Sequence, residues 1–230
     1  MKNKINKVVI LAGGLGKRLR PYTFILPKPL IPMKTGEPLI SNIILKLKKF
    51  GFENFYISCG YKDYLIKSYL NFRFKKKINF TFLNEKKKLG TAGPLSLIND
   101  IKNKSEKILV INGDIITDLD IGAKIKKYKN KNFDILTFVY DQKYVSKYGV
   151  VEQKGNNVKK ILEKPTFHFK INSGIYLINS RILNLVPHNK FFTMVDFVNL
   201  CLKKRKKVIF ETFIDNWRSI ESPEDLGLDL

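Results

Sequence analysis

The stretch VVILAGGLGKRLRPYTFILPKPLIPM, residues 8–33, carries the strongest structural signal in this chain. An apolar run from Val8 to Leu11 predicts a buried strand, and a glycine-rich turn follows it at once. Glycines let the backbone approach a ligand closely and point its N–H groups at it. The cations Arg18 and Lys28 follow the turn and can neutralise a bound phosphate. The stretch therefore predicts a phosphate-binding loop at the end of the first strand.

This loop differs from the two best-known phosphate loops. The run GLGKRL lacks the third glycine of the GxGxxG dinucleotide turn, and it lacks the GK[ST] ending of a P-loop. A glycine-rich loop after a strand is weak evidence by itself, since many such loops only connect elements. Motifs elsewhere in the chain are needed to identify the ligand of this loop.

The amino-acid composition limits the class of protein to which this chain can belong. With 230 residues, 44% hydrophobic content and 17 Phe, the chain can bury a sizeable core, which excludes a disordered protein. No run of 18 apolar residues exists, so we expect no membrane insertion. The short apolar run that ends in glycines is typical of a core strand and not of a signal peptide. Cys59 and Cys201 lack metal-site spacing, which predicts free thiols and a cytoplasmic location.

The net charge of +23 raises a nucleic-acid hypothesis. Only six of the 43 cations are arginine, and no basic tail, zinc finger or RNA-binding aromatic motif accompanies the lysines. We therefore expect solvated lysine-rich faces and no nucleic-acid partner. A positive field would still steer polyanionic nucleotides towards the protein.

Strand and helix patterns alternate along the chain, which predicts an α/β protein with a largely parallel sheet. The predicted strands are Lys7–Leu11, Asn54–Cys59, Asn79–Leu83, Lys107–Asn112, Asp134–Tyr140, Tyr148–Gln153, Val158–Glu163, Ile171–Ile178 and Lys207–Phe213. The predicted helices are Ser41–Phe50 (with Ser41 as N-cap), Tyr64–Leu70, Ala92–Asn99, Ile121–Lys131, Arg181–Leu185 and Met194–Lys204. The later part is richer in strands. We expect one domain over residues 1–230, with a nucleotide-binding half at about 1–140 and a second-substrate half at about 141–230.

Two further motifs fall where strands are predicted to end, and ligands of open α/β sheets bind at the carboxyl ends of strands. The motif KKLGTAGPL sets Gly90 and Thr91 at a predicted helix start, which can accept a nucleotide or can simply cap the helix. The motif LVINGDI ends a buried strand with Asn112 and Asp114. An Asp at that place is a typical Mg²⁺ ligand near phosphates, although it can also cap a turn.

Taken together, GGLGKRL, RPYT, LPKPLIPM, LGTAG and NGD resemble the signature of the sugar-1-phosphate nucleotidyltransferases, also called nucleoside-diphosphate-sugar pyrophosphorylases. YGVVE, ILEKP and INSGIY then follow in the order found in that family. The resemblance runs from about residue 7 to the C-terminus. Within the family, the segment FFTMVDFVNLCLKKRKKVIFETFIDNW is most similar to small glucosamine-, heptose- and mannose-1-phosphate guanylyltransferases.

The resemblance implies a fold and an activity. The fold is a Rossmann-like three-layer α/β sandwich of the GT-A-like type, with a mostly parallel mixed sheet and a small strand-rich sugar-binding lobe. The activity is condensation of an NTP with a sugar 1-phosphate to an NDP-sugar and pyrophosphate for surface-glycan precursors. It implies GTP as the favoured donor, with CTP, UTP or dTTP as alternatives. It also implies Mg²⁺. The sequence does not specify the oligomeric state, and we expect a monomer or small homo-oligomer.

The resemblance also assigns site residues. Those implied to bind the nucleotide are Leu11, Ala12, Gly13, Gly14, Gly16, Arg18, Lys28, Gly90, Thr91 and Asn112. Those implied to bind the sugar phosphate are Gly149, Glu163, Lys164 and Asn172, and those implied to be catalytic are Arg18, Lys28, Asp114 and Lys164. Adjacent strand residues face opposite ways, so Glu163 and Lys164 can share a site only if Pro165 or a bulge re-aims one of them.

One motif departs from the family. Its second metal-binding aspartate lies in a segment like W-x-D-I-G, but this chain has Trp217, Arg218, Ser219, Ile220 and Glu221. A neutral serine is a poor substitute for a carboxylate on Mg²⁺. Two hypotheses follow: either Glu221 reaches the metal bound by Asp114, or the protein is weakly active or inactive and binds a nucleotide sugar without making it.

Overall fold

The computed structural model describes residues 5–75, 77–102 and 104–226, so both ends of the predicted domain 1–230 lie outside the described residues. The central sheet has seven strands in the order β10-β6-β9-β4-β1-β2-β3. These are β1 (Lys7–Leu11), β2 (Asn54–Cys59), β3 (Asn79–Asn84), β4 (Lys107–Asn112), β6 (Ile135–Val145), β9 (Thr166–Asn179) and β10 (Val208–Phe213). Strand β9 runs antiparallel to its two neighbours, and every other neighbouring pair is parallel. The predicted mostly parallel mixed sheet is confirmed.

Two small strand pairs flank this sheet. Strand β5 (Ile115–Thr117) pairs with β11 (Trp217–Ser219), and β7 (Val150–Lys154) pairs with β8 (Asn157–Leu162). The β7–β8 hairpin is inserted between β6 and β9, which continue as a two-stranded ribbon with a register shift between Thr137 and Val139. This ribbon and hairpin form the predicted strand-rich lobe.

Helices cover both faces of the sheet, as a three-layer sandwich requires. They are α1 (Tyr22–Ile25), α2 (Leu39–Lys49), α3 (Asp63–Phe74), α4 (Ile121–Tyr128) and α5 (Met194–Lys203). Short 3₁₀ helices lie at Lys17–Leu19, Lys28–Leu30, Gly93–Leu97, Ser180–Leu185 and Pro223–Leu226. Helices α2, α3 and α4 bury their apolar sides against one face, and α5 packs in the second core on the other face. Apolar burial on both faces explains why the central strands read as nearly continuous apolar runs.

Two helix predictions were wrong in detail. Helix α2 begins at Leu39 after Pro38, whose fixed φ suits a helix entry, and Ser41 is not its N-cap. Ser41 is buried inside the helix, and its hydroxyl is hydrogen-bonded to that of Tyr69 at 2.8 Å. The helix predicted over Ala92–Asn99 is a 3₁₀ helix over Gly93–Leu97, a segment in which Gly93 has a low helix propensity.

The parallel strands place the motifs that follow them at one edge of the sheet. Leu11, the last residue of β1, is aligned with Ser58 of β2 on one side and Asn112 of β4 on the other. The loops after these strands therefore leave the sheet side by side. No helix in the part of the chain that the structure describes is long and apolar enough to cross a membrane.

Candidate active site

A cavity of about 200 Å³ lies beneath the glycine-rich loop at the carboxyl end of β1. Its lining includes eight residues that the sequence analysis named: Leu11, Ala12, Gly14, Gly16, Arg18, Lys28, Asp114 and Glu221. A larger, mainly apolar groove of about 880 Å³ lies between α2 and the β5–α4 segment and includes none of the predicted site residues. Chemistry and not size identifies the smaller cavity as the candidate site.

Two ion pairs lie at this cavity. Lys28 Nζ is 2.6 Å from Asp114 Oδ2, with 15% and 28% of the two side chains exposed. Arg18 pairs with Glu221 in a more exposed position. The structure thus joins the two cations predicted for the triphosphate to the two carboxylates considered for the metal.

Asp114 has spare metal-binding capacity. Its Oδ1 is buried and has no hydrogen-bond partner within residues 5–75, 77–102 and 104–226. Buried polar atoms almost always have a partner, so an unpaired carboxylate oxygen at a cavity wall calls for one. A hard cation such as Mg²⁺ binds this kind of oxygen, and the residues present therefore fit the implied metal.

The loop geometry explains how Arg18 reaches Glu221. Gly16 has φ +60°, a conformation that suits glycine, and its carbonyl accepts a hydrogen bond of 3.0 Å from Thr23 Oγ1. The chain then forms the short helix Lys17–Leu19. Leu19 is buried in a small apolar cluster that also contains Ile220. Packing of Leu19 with Ile220 brings their sequence neighbours, Arg18 and Glu221, together.

The structure separates Ser219 from Glu221. Ser219 pairs with Ile115 across the β11–β5 ladder and is not part of the cavity wall. The next residue, Ile220, donates its N–H to the carbonyl of Asp114 at 2.8 Å. Glu221 then lies in the wall. The segment predicted to hold the second metal ligand is therefore beside Asp114, with glutamate as its cavity-facing acid.

Glu85, which follows β3 at the same edge of the sheet, was not predicted from the sequence. Its carboxylate accepts hydrogen bonds from Ser58 Oγ and from the Leu89 N–H, the latter at 3.2 Å. Burial raises the pKa of Glu85, and the bonds from Ser58 and Leu89 oppose that rise. The rule that selected Asp114, an acid just after a buried strand, would not have found Glu85, because β3 is a partly exposed edge strand.

Glu85 also explains why position 13 is glycine. A Cβ on Gly13 would lie 2.0 Å from Glu85 Oε1, so any side chain there would force the carboxylate away from Ser58 and Leu89. The glycine-rich loop is therefore bounded by Asp114 at the cavity and by Glu85 at Gly13.

The LGTAG segment is docked onto the start of α5. Thr91 Oγ1 accepts the N–H of Met194 at 2.8 Å, and the carbonyl of Phe192 accepts the N–H groups of Ala92 and Gly93. Thr91 thus accepts an N–H at the start of α5, whose N-cap residue is Thr193, and does not cap the helix predicted to start at Ala92. Gly90 follows Leu89, whose N–H binds Glu85, so this segment adjoins Glu85 and not the cavity wall.

Asn112 ends β4 beside Leu11 and lies outside the cavity wall. Its side chain is packed against Gly174 of β9, where a Cβ would lie 2.5 Å from Asn112 Nδ2. The predicted nucleotide residue therefore faces the β9 side of the sheet edge.

The sugar-side residues form two separate groups. Glu163 and Lys164 follow β8, which ends at Leu162, and Lys164 has φ +43°, so they are not on opposite faces of a strand. Glu163 lies close to Gly149, and Lys164 is exposed with no ion-pair partner among the described residues. Asn172 lies on β9, where its amide donates to the Tyr176 hydroxyl.

Other nucleophilic and metal-binding chemistry finds little support. Burial raises the pKa of the Cys59 thiol to about 12 and that of Cys201 to about 11, so neither is a ready nucleophile. Across the described ranges, no group of three or more His, Cys, Asp or Glu side chains is arranged to hold a metal. A metal at Asp114 would have to take further ligands from substrate phosphates and water, as Mg²⁺ commonly does.

A family model described as "Nucleotidyl transferase" matches residues 7–226, nearly the whole chain. The chain belongs to the nucleotidyl transferase family. Among its relatives, mannose-1-phosphate guanylyltransferase 1 of Arabidopsis thaliana is 35% identical over 187 residues, which are 78% of this chain and 52% of that protein. The mannose-1-phosphate guanylyltransferase catalytic subunit beta of Dictyostelium discoideum is 35% identical over 185 residues, covering 78% and 51%. The chain spans about half the length of the curated relatives it matches.

Solved structures of other nucleotidyltransferases resemble this one. HddC from Yersinia pseudotuberculosis complexed with GMP-PN has a TM-score of 0.71 and 29% identity, with 96% of each chain covered. The inositol-1-phosphate CTP transferase from T. maritima has a TM-score of 0.73, covering 98% of this chain and 93% of that one; at 20% identity it supports the fold alone. The predicted fold class is confirmed.

Proposed function

We propose that this nucleotidyl transferase family member condenses an NTP with a sugar 1-phosphate, giving an NDP-sugar and pyrophosphate. GTP is the favoured donor, with CTP, UTP or dTTP as the alternatives. The main support for the proposal is that Arg18, Lys28 and Asp114 line one cavity beneath a glycine-rich loop. The guanylyltransferase names of the relatives support GTP and a mannose-like sugar.

Arg18 and Lys28 would bind the triphosphate, with the backbone N–H groups of the loop over residues 11–16. Cations and backbone donors together suit a polyanion, because each charge-assisted hydrogen bond is stronger than a neutral one. Both cations reside at the cavity and are held by carboxylates in the structure.

Asp114 would hold the Mg²⁺ through its unpaired, buried Oδ1. When bound, the ion would supply positive charge to the reacting phosphate oxygens. Lys28 would meanwhile hold the Asp114 carboxylate at the cavity, through their ion pair, until the substrates arrive.

Glu85 supports a guanine donor. Guanine presents N1–H and N2–H₂ donors side by side, and an ionised carboxylate offers two acceptor oxygens. Glu85 lies against Gly13, and neither residue lines the cavity that contains Asp114. A base there would be joined to a triphosphate that runs along the loop towards Arg18 and Lys28.

The sugar 1-phosphate would bind along the β6–β9 ribbon and the β7–β8 hairpin. Lys164 would bind its phosphate, and Gly149, Glu163 and Asn172 would contact the sugar. Lys164 is suited to this role because it is exposed and has no ion-pair partner among the described residues. The front half of the domain would then carry the nucleotide and the back half the sugar phosphate.

The chemistry needs no protein nucleophile. A phosphate oxygen of the sugar 1-phosphate attacks the α-phosphorus, the bond from the α-phosphorus to its bridging oxygen breaks, and pyrophosphate leaves. The residues must align two polyanions and neutralise the charge that develops on the leaving group. Arg18 and Lys28 would perform the second task on one side and Lys164 would position the attacking phosphate on the other.

A second candidate function is nucleotide-sugar binding without turnover. The observation that favours it is Ser219, which leaves no carboxylate where the resemblance implies the second metal ligand. This candidate predicts tight binding and no pyrophosphate release.

We also propose that the protein acts in the cytoplasm, as a monomer or small homo-oligomer, in the supply of glycan precursors. Its two free cysteines are buried, which is consistent with a reducing compartment.

A pyrophosphate-release screen tests the proposal. Each of four NTPs is combined with mannose, glucose, glucosamine and heptose 1-phosphates, with and without Mg²⁺. The expected result is Mg²⁺-dependent release with GTP and one sugar 1-phosphate, abolished in Asp114→Asn. Binding of nucleotide sugars with no release in any combination would contradict catalysis and favour the second candidate.

A further inference from the structure

The two ion pairs at the cavity have the same composition, one cation and one carboxylate each. Each joins one cation assigned to phosphate, Lys28 or Arg18, to one carboxylate at the cavity wall, Asp114 or Glu221. The four charges cancel. A nucleoside triphosphate alone would bring several negative charges into a site whose cations are already engaged.

Glu221 is held in position from three directions. Ile220 is fully buried beside Leu19, and its N–H binds the carbonyl of Asp114 at 2.8 Å. The backbone N–H groups of Glu221 and Ser222 both donate to Asp225 Oδ2 at 2.8 Å. The backbone of Glu221 is therefore fixed next to Asp114, while its carboxylate remains 47% exposed and able to move.

We propose that Glu221 is the second carboxylate ligand of the metal and that metal–nucleotide binding makes the two ion pairs exchange partners. Arg18 and Lys28 turn from carboxylates to phosphates, and Glu221 and Asp114 turn from cations to the metal. This inference rests on the proposed function, and it assigns the second carboxylate to a residue two positions beyond Ser219.

Charge balance explains why the exchange would be concerted. If the cations left for phosphate without a metal, two neighbouring carboxylates would face each other and a polyanion, which Coulomb repulsion disfavours. If a metal replaced the cations without a nucleotide, the two displaced cations would lack partners. With both present, every charge regains an opposite partner, and Mg²⁺ keeps the two-carboxylate-plus-phosphate environment that it commonly has.

The simpler alternative is a static ion pair, in which Glu221 only neutralises Arg18. The two accounts differ in what the conservative change Glu221→Gln does to metal binding. Glutamine keeps the size of the side chain, loses its charge, and is a weak ligand for a hard divalent cation. Glu224 is the matched control, since it is an exposed carboxylate on the same segment that does not line the cavity.

The test measures Mn²⁺ binding by electron paramagnetic resonance in the presence of a saturating GTP analogue with a non-cleavable α,β linkage. Nucleotide binding with chelator present is measured in parallel. The parent, Glu221→Gln, Asp114→Asn and Glu224→Gln are compared, each checked for an unchanged thermal midpoint in chelator. We expect Glu221→Gln and Asp114→Asn each to weaken Mn²⁺ binding at least tenfold and Glu224→Gln to leave it unchanged. We also expect Glu221→Gln to bind metal-free nucleotide more tightly than the parent, because Arg18 is released.

The assignment of Glu221 would be overturned if Glu221→Gln bound Mn²⁺ within twofold of the parent while Asp114→Asn bound it more weakly. That result would leave the proposed function standing. A parent that binds neither the GTP analogue nor its Mn²⁺ complex would overturn both.

Discussion

Lys28 Nζ lies 2.6 Å from Asp114 Oδ2, although the two residues are 86 positions apart in sequence. The pair joins the proline-punctuated end of the opening motif to the acid that follows β4. It holds a cation proposed to bind phosphate and a carboxylate proposed to bind the metal in one small cavity. Nucleotidyl transfer needs both groups within reach of one triphosphate.

Replacing Lys28 by Met should reduce kcat/KM for nucleotidyl transfer by about 10²-fold, the typical effect of losing one charge-stabilising group. The change removes a phosphate ligand and also leaves Asp114 without its ion-pair partner. Pyrophosphate release gives the rate. Lys203→Met, which alters an exposed cation of α5, is the control, and equal effects of the two substitutions would point to a general charge effect.

Glu85→Gln should reduce the preference for GTP over other NTPs by about 10- to 100-fold, because a site built to pair with a donor edge discriminates through those bonds. The measurement is the ratio of kcat/KM values for GTP and ATP. An unchanged ratio would remove Glu85 from base recognition.

Glu85 also predicts a pH effect. Burial raises its pKa, so as pH falls it takes up a proton earlier than an ordinary glutamate and can no longer accept both donors of guanine. The KM for GTP should therefore rise on acidification in the parent more than in Glu85→Gln.

The effect of Glu85 on the free energy of unfolding has the opposite sign, because acidification favours the folded state at this group. A carboxyl whose folded pKa lies above the unfolded value contributes most below the unfolded pKa, and that contribution is lost as pH rises through the folded pKa. Chemical denaturation at several pH values separates the two effects.

Gly13→Ala should destabilise the protein by about 1–3 kcal/mol, the usual cost of overpacking, and should weaken guanine nucleotide binding. A Cβ at residue 13 would lie 2.0 Å from Glu85 Oε1, which Ser58 and Leu89 hold in place. Gly14→Ala is the matched control for stability, since no atom lies within 4 Å of a Cβ there. Equal thermal midpoints for the two variants would contradict the described approach of the loop to Glu85.

Lys164→Met should raise the KM for the sugar 1-phosphate at least tenfold and leave the affinity for nucleotide nearly unchanged. Its charge is exposed and has no ion-pair partner in the described ranges, so its loss affects the ligand more than the fold. Lys160→Met, on the neighbouring β8 strand, provides the comparison. A rise in nucleotide KM instead would place Lys164 on the triphosphate.

Ser219→Asp distinguishes an impaired site from one with a replacement ligand. If Glu221 supplies the second carboxylate, the substitution should leave turnover at or below that of the parent, because a third carboxylate adds repulsion. An increase of tenfold or more would show that the parent lacks a ligand at residue 219. Single-turnover rates at saturating Mg²⁺ make this comparison.

The sequence predicted the sheet well because its central strands are nearly continuous apolar runs. β1, β2 and β4 have the predicted bounds. Helix ends were predicted less well, since Pro38 and not Ser41 precedes α2, and the segment predicted as a helix from Ala92 is a 3₁₀ helix that starts at Gly93.

The residues of the candidate site were predicted from sequence motifs, but the ion pairs between them could not be predicted. Arg18 meets Glu221 only because Leu19 and Ile220 pack in one small cluster across 201 residues of sequence, a long-range contact that no local pattern encodes. Glu85 escaped notice because an acid after a strand carries no signal until its burial and its approach to Gly13 are known. Lys164 lies in a bend and not in a strand, which resolves the expected conflict with Glu163.

The most direct test of nucleotidyl transfer follows the label from GTP labelled at the α-phosphorus, with mannose 1-phosphate and Mg²⁺ present. The account predicts that the label appears in a GDP-sugar in equal amount to the unlabelled pyrophosphate released, and that Asp114→Asn abolishes both. Label found in GDP with release of inorganic phosphate, or no product while the nucleotide sugar binds tightly, would contradict it.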